Sequence, residues 1–309
     1  MAADIKISHL IPLYRSHRFV DVIAANVAEL AGSETEILLA DRNGDEALCA
    51  ELRARFANVP NLRIFCDDTN GNWVENIAGL IDAAQGTYIQ VLPHDDGTTK
   101  AATTAMCAAL DGAPDAVLAY GRVRAFDLVG TPLPDRDELN SRECADATGW
   151  TLSDALPLLW TGRFNGAFKG VIRRATTQQP ACRFSATSST ALSERAWLFS
   201  LALQGRFQFV PMDVLHKRYY PDSTHRGWTL TAQTYEEATQ LMITAIDRTL
   251  SDPGLRAYAI RDMQENCTSK LRAFQDGAEP FHYAPASDAA SDASQATLRA
   301  TPIAWGHQL

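Results

Sequence analysis

Two adjacent carboxylates, Asp95 and Asp96, follow a short run of β-branched and aromatic residues. That run, residues 86–92, favours a buried strand because its Tyr, Ile, Val and Leu side chains suit a pleated surface, and Pro93 ends it. Neighbouring carboxylates repel each other, and a hard divalent cation with oxygen ligands would neutralise them and bridge to phosphate oxygens. The structural alternative is an Asp-Asp turn that caps the following helix.

A further carboxylate, Asp41, follows the predicted strand 36–40 and opens the polar stretch 41–45. Strands of a parallel sheet end at one edge, and right-handed crossovers place their loops side by side above a crevice. A carboxylate in that position can accept hydrogen bonds from a nucleobase imide or a ribose hydroxyl. The Asn-Gly pair in the same stretch also fits a simple turn.

Glu194 lies in the first turn of a predicted helix over residues 193–205, which begins with Ser193 as a candidate N-cap and ends at Gly205. An acid in a first helical turn usually complements the helix dipole, which is its structural explanation. A catalytic role for Glu194 therefore needs an argument beyond this position.

The elements that carry these acids alternate between short apolar runs and helical patterns, which predicts an α/β fold with a mostly parallel sheet flanked by helices. We expect two later strands, at residues 164–174 and 207–214, and two C-terminal helices within residues 229–274. The first of these strands would end in two solvated arginines, Arg173 and Arg174. The predicted strands of the first half are residues 5–13, 36–40, 62–66, 86–92 and 116–120, and the predicted helices are residues 20–30, 46–56, 74–84 and 99–110.

Composition narrows the class of protein. The chain has 309 residues, 46% of them hydrophobic, and a net charge of −9, so a nucleic acid or an anionic membrane surface is not expected as the main partner. Its six cysteines are far apart with no C-x-x-C pair, which favours reduced thiols. No apolar run approaches the length of a membrane span, so we expect a cytoplasmic protein with at most peripheral membrane contact.

In order and spacing these motifs resemble the GT-A fold glycosyltransferases of family 2. Residues 11–15 resemble the family's opening strand end, residues 40–45 its base-binding acidic loop, and residues 86–96 its strand ending in the Asp-x-Asp signature. Asn70, Gly71 and Asn76 match the segment between them. Residues 215–226 are similar to the family segment that flanks the diphosphate, with Arg218 on its arginine and Ser223 on its serine.

The resemblance implies roles for these residues. Asp96 would bind Mg²⁺ or Mn²⁺ with Asp95 beside it, and Glu194, matching the second residue of the family's Glu-Asp pair, would be the general base. The donor nucleotide would be contacted by Pro12, Tyr14, Asp41, Asn70, Asn76, Asp95 and Arg218.

The implied activity is that of an inverting, metal-assisted hexosyltransferase in polysaccharide biosynthesis. It would move a sugar from a nucleotide sugar to a hydroxyl of a saccharide, a lipid-linked glycan or a small molecule. Two alternatives remain open. A sugar-nucleotide pyrophosphorylase should carry a Gly-rich basic loop after the first strand, where this chain has residues 12–17. A non-catalytic nucleotide- or glycan-binding protein is suggested by Ala40 and Pro93, which stand where the family has acids.

We expect a GT-A domain over residues 1–228, a helical extension over residues 229–274 and a mobile low-complexity tail over residues 275–309. The extension could pack on the catalytic domain or form a homodimer. Trp305 is the candidate docking anchor of the tail.

Overall fold

The computed structural model describes residues 4–69, 71–138, 165–223, 230–275 and 299–303. Its core is a seven-stranded sheet in the order β3-β2-β1-β4-β6-β5-β7. Only β6 runs antiparallel to its neighbours, so the predicted mostly parallel α/β sheet is confirmed. The strands are β1 (Ile7–Leu13), β2 (Thr35–Asp41), β3 (Leu62–Cys66), β4 (Tyr88–Val91), β5 (Ala116–Phe126), β6 (Val171–Arg173) and β7 (Arg206–Arg218).

The helices of the first half follow the strands as predicted, in α1 (Val20–Leu30), α2 (Glu46–Arg55), α3 (Trp73–Ala83) and α4 (Lys100–Asp111). Helix α3 shows how the sequence sets its start. The Asn72 side chain accepts hydrogen bonds from the amides of Val74 and Glu75, and the Glu75 carboxylate accepts one from the Asn72 amide. Glu75 therefore completes a capping box at the start of α3.

The prediction of one strand over residues 164–174 is wrong. This stretch contains the short helix α5 (Asn165–Phe168), strand β6 and the short helix α6 (Arg174–Thr177). The predicted solvation of its arginines is also wrong. Arg173 donates to the backbone carbonyls of Leu110 and Ala116, and Arg174 donates to that of Gly86.

The C-terminal helices pack on the sheet domain. Helix α7 (Ser193–Ala202) shares a hydrophobic cluster with α8 (Ala232–Thr249) and α9 (Pro253–Gln275). Trp197 of α7, Tyr235 of α8 and Met263 of α9 are buried in that cluster, together with residues of β4 and β5. The helical extension therefore packs on the sheet domain, which is one of the two expected arrangements. A homodimer stays a prediction.

Part of the expected mobile tail is packed. Ala300 is buried and its amide donates to the carbonyl of Arg18, while residues 276–298 and Trp305 lie outside the described residues. The five cysteines in the described segments are free thiols. None of the described helices has the length and apolar character that a bilayer span requires.

Candidate active site

The site lies at the carboxyl edge of the sheet, where β1, β2 and β4 end. Leu13 pairs with Asp41 across β1 and β2, and Leu10 pairs with Val91 across β1 and β4, so the loops after these strands leave together. A cavity of about 370 Å³ opens there. Three of the predicted acids line it, Asp95, Asp96 and Glu194.

Asp96 is almost fully buried, and both of its carboxylate oxygens have partners. Oδ1 accepts a hydrogen bond of 3.0 Å from the amide of Arg218, and Oδ2 is ion-paired with the ammonium of Lys169. Burial raises the pKa of Asp96, whereas the charge of Lys169 opposes that rise. An ionised Asp96 thus depends on its basic neighbours.

Asp95 lies beside Asp96 and is held by Arg218, the last residue of β7, and by Tyr220, two residues beyond it. The hydroxyl of Tyr220 donates to Asp95 Oδ2 at 2.7 Å, and the Arg218 guanidinium donates to the Asp95 carbonyl at 2.5 Å. Burial and the neighbouring Asp95 carboxylate raise the pKa of Tyr220, so this hydroxyl remains a proton donor.

Helix α7 begins at Ser193, so the prediction of Ser193 as its N-cap is wrong; Leu192 holds that position and makes no side-chain cap hydrogen bond. Glu194 lies in the first turn of α7 and lines the same cavity. Its Oε2 atom is inaccessible to solvent and has no hydrogen-bond partner among the described residues. Burial raises the pKa of Glu194, and the charges of Arg195 and Lys217 oppose that effect. An unsatisfied carboxylate oxygen in a cleft, with a raised pKa, has the properties of a general base.

The backbone before Glu194 is unusual. Thr190 and Leu192 both adopt left-handed conformations, with φ angles of 61° and 64°. Such angles are rare for residues that carry a Cβ atom, and above all for a β-branched residue such as Thr190. Strain of this kind is concentrated at functional sites, and here it sets the direction in which α7 begins.

Asp41 does not line the cavity, as a residue that contacts the nucleotide directly would. It is buried, and its Oδ1 accepts hydrogen bonds from the amides of Asn43 at 2.9 Å and Asp45 at 3.1 Å. Asn43, not Asp41, lines the cavity. The other oxygen, Oδ2, is buried without a partner among the described residues. Asp41 therefore shapes the loop that borders the cavity.

Four more of the predicted donor-site residues line the cavity, Pro12, Tyr14, Asn76 and Arg218. Asn76 also ties two strand ends together, because its amide donates to the carbonyls of Leu13 and Ala40. Asn70 lies outside the described residues.

Sequence reasoning missed several residues that line the cavity, among them Asn43 and Tyr220, and the charged one is Lys169. It lies between α5 and β6, in a stretch whose pattern predicted a strand. Two glycines in this stretch, Gly166 and Gly170, are a signal that could have revealed a tight corner, because a Cβ atom at either would clash with the backbone of β5.

The expected Mg²⁺ or Mn²⁺ does not fit these residues as they are arranged. Three of the four oxygens of Asp95 and Asp96 already accept hydrogen bonds from protein groups, and one of those partners is the Lys169 ammonium. The described part of the chain also lacks a group of three or more His, Cys, Asp and Glu side chains arranged to hold a metal ion. Divalent cations bind oxygen ligands that are free to coordinate them.

Comparison with known proteins gives similarity in structure only. No family model and no curated protein matches the sequence. The structure of S. aureus TarS 1-349 superposes with a TM-score of 0.63 at 14% identity, covering 87% of this chain and 74% of TarS 1-349. The same TarS fragment in complex with UDP-GlcNAc gives a TM-score of 0.63 at 13% identity, over 87% and 75% of the two chains.

A third similar structure is the mannosyltransferase PcManGT from Pyrobaculum calidifontis in complex with GDP-Man and Mn²⁺. It has a TM-score of 0.51 and 12% identity, covering 87% of this chain and 76% of PcManGT. This chain has the GT-A glycosyltransferase fold. The GT-A fold that the sequence motifs implied is thus confirmed.

Proposed function

We propose that this chain is an inverting glycosyltransferase that moves a sugar from a nucleoside-diphosphate sugar to an acceptor hydroxyl. The observation that carries the proposal is the cavity that Glu194 shares with Asp95 and Asp96. In a sheet of this kind, ligands bind at the carboxyl ends of the strands, where this cavity lies. The TarS complex with UDP-GlcNAc and the mannosyltransferase complex with GDP-Man support a donor of that class.

The reaction needs a base, an oriented donor and an environment that accepts negative charge. The acceptor oxygen attacks the anomeric carbon while its proton passes to the Glu194 carboxylate. The bond between that carbon and the phosphate oxygen breaks, and its electron pair stays on the departing nucleoside diphosphate. Lys217 and Arg218, which line the cavity, offset the charge that develops on the diphosphate. A single displacement of this type inverts the anomeric configuration.

Asn43, Asn76 and Tyr14 border the same cavity and are the candidate contacts for the nucleoside. The Arg218 guanidinium, in contrast, donates to the Asp95 carbonyl. We therefore assign it to the support of the loop that carries Asp95 and Asp96, called the acidic loop from here on, as well as to the diphosphate. The proposal also includes an acceptor that is a saccharide, a lipid-linked glycan or a small molecule. It further includes a role in polysaccharide biosynthesis, a cytoplasmic location and a homodimer through α8 and α9.

The test is nucleoside diphosphate release by the purified full chain from a panel of UDP-, GDP-, CDP-, ADP- and dTDP-sugars, with saccharide acceptors added in turn. We expect release from at least one sugar, and release that is about 10²- to 10⁴-fold slower in Glu194→Gln. A product of inverted anomeric configuration by NMR would support the single displacement. Nucleotide binding without any release would favour the non-catalytic alternative, and pyrophosphate release from a nucleoside triphosphate and a sugar phosphate would favour a pyrophosphorylase.

A further inference from the structure

The ammonium of Lys169 lies in the cavity in contact with the carboxylate of Asp96. The side chain of Lys169 is 8% exposed and that of Asp96 is 1% exposed. A lysine is rarely buried to this extent unless it has a partner, because desolvating its charge is costly. This ion pair is therefore a built feature of the site rather than a surface contact.

The fold fixes the backbone that presents Lys169. Its carbonyl accepts a hydrogen bond of 3.0 Å from the buried side-chain amide of Gln90, on β4. The next residue, Gly170, packs so closely on β5 that a Cβ atom there would clash with the carbonyl oxygen of Ala119. The lysine thus projects from a corner anchored to two strands of the sheet.

The charges that line the cavity balance without an added cation. Among its described lining residues, three carboxylates (Asp95, Asp96 and Glu194) face the lysine and arginine side chains of Lys169, Lys217 and Arg218, and the imidazole of His94 lies beside them. A divalent ion at Asp96 would have to displace the Lys169 ammonium, and the displaced charge would remain nearby and repel the ion. The arrangement favours a permanent organic cation over a metal.

We propose that Lys169 supplies the cation of the acidic loop and that this chain binds the donor diphosphate without a divalent metal. The inference rests on the proposed function and deepens it. An ammonium carries three N–H donors, and Lys169 gives one of them to Asp96 Oδ2. The others are available to phosphate oxygens, for which lysine is a well-suited point charge. Asp96 serves to position the lysine.

The first experiment needs no variant. Binding of UDP, GDP, CDP, ADP and dTDP to the wild-type chain is measured by calorimetry in excess EDTA and again in excess Mn²⁺. We expect the dissociation constant of the preferred nucleotide to agree within about threefold between the two conditions, since a factor of that size is under 1 kcal/mol. Binding that requires Mn²⁺ would overturn the inference.

The second experiment removes the charge. Lys169→Met should weaken nucleotide binding in EDTA by about 10- to 100-fold, the usual loss for one charge-assisted hydrogen bond. Lys169→Arg should recover part of that loss because it keeps the positive charge. The matched control is Lys6→Met, which removes a largely exposed ion pair with Asp111 just before β1 and should leave binding unchanged. Equal binding by Lys169→Met and Lys6→Met would overturn the inference.

The outcomes separate the two proposals. Binding of a nucleoside diphosphate only with Mn²⁺ rejects the role of Lys169 and leaves the glycosyltransferase proposal intact. If none of the five nucleoside diphosphates binds in either condition, both proposals are rejected. If Lys169→Met does not fold, the wild-type comparison in EDTA and Mn²⁺ still decides the question.

Discussion

Arg218 joins the acidic loop to the C-terminal segment through a contact with Thr301. One guanidinium nitrogen donates to the Asp95 carbonyl at 2.5 Å and another donates to the Thr301 carbonyl at 2.5 Å. Arg218 is almost fully buried, so these carbonyls replace the water that its charge would otherwise bind. Residues 299–303 are therefore a structural support of the candidate active site.

This contact predicts the effect of a C-terminal truncation. Deletion of residues 299–309 removes the Thr301 carbonyl and leaves the Arg218 guanidinium with one hydrogen-bond partner fewer, so we expect the midpoint of thermal unfolding to fall and nucleotide affinity to weaken. An unsatisfied buried charged group costs about 1–3 kcal/mol or more. Calorimetric unfolding and nucleotide binding measure the two effects. Deletion of residues 304–309 alone is the control, because it keeps both Ala300 and Thr301, and equal behaviour of the two truncations would contradict the prediction.

Glu194→Gln should separate turnover from binding. The amide cannot accept the acceptor proton, so turnover should fall by about 10²- to 10⁴-fold. Nucleotide affinity should stay within a few-fold of the wild-type value, because the base acts on the acceptor. Steady-state kinetics and calorimetry measure these changes, with Glu265→Gln on an exposed position of α9 as the control. Wild-type turnover in Glu194→Gln would remove Glu194 as the base.

The same residue sets an expected pH dependence. Burial raises the pKa of Glu194, and only the ionised carboxylate can act as a base. The value of kcat/KM should therefore rise with pH through a pKa above the ordinary value of about 4.3. A profile from pH 4 to pH 9 would show this acid limb. A limb at or below the ordinary value would contradict the burial argument.

The ionised Glu194 carboxylate should also lower the free energy of unfolding. Because its pKa is higher in the folded than in the unfolded chain, the folded state loses stability as pH rises from the unfolded value to the folded one. Glu194→Gln removes this penalty. The variant should thus unfold at a higher temperature than the wild type at pH 7, and the difference should disappear near pH 4.

Much of the site was accessible to sequence reasoning because its acids follow strong local signals. Nearby residues set strand β4 and the Pro93 that follows it, so Asp95 and Asp96 could be singled out from local signals, whereas the role of Glu194 came from the resemblance to a known family. Their convergence on one cavity follows from parallel strands ending at one edge.

Lys169 could not be placed in the same way. Its partner Asp96 is 73 residues earlier in the chain, and the ion pair exists only because β6 enters antiparallel between β4 and β5. An antiparallel strand of three residues leaves almost no periodic signal. The presence of a lysine beside Asp96 is therefore set by the tertiary structure and not by the local sequence.

Tyr220→Phe should make stability depend less on the ionisation of Asp95. Burial opposes that ionisation, but the charges of His94 and Lys169 and the Tyr220 hydrogen bond outweigh it and lower the pKa of Asp95. A lowered folded-state pKa stabilises the fold above the unfolded value of about 3.9, and this contribution is lost as pH falls through the folded value.

The Phe variant should therefore lose about 1–3 kcal/mol at pH 7, and the gap from wild type should narrow below pH 4. Urea unfolding at a series of pH values measures it. The matched control is Tyr258→Phe, since Tyr258 is 47% exposed on α9. A gap that is constant between pH 7 and pH 3 would assign the loss to packing rather than to Asp95.

Two substitutions at Asp41 distinguish loop shaping from direct contact with the nucleotide. Asp41→Ala removes the acceptor for the amides of Asn43 and Asp45, so both stability and nucleotide affinity should fall.

Asp41→Asn keeps one acceptor oxygen for those amides and replaces the other oxygen with a donor. If Asp41 only shapes the loop, Asp41→Asn should bind UDP and GDP in the wild-type ratio. If Oδ2 accepts a hydrogen bond from an N–H group of the nucleobase, Asp41→Asn should change that ratio by about tenfold or more, because an amide donor then faces the donor of the nucleobase. Since Asn43 rather than Asp41 lines the cavity, we expect the wild-type ratio.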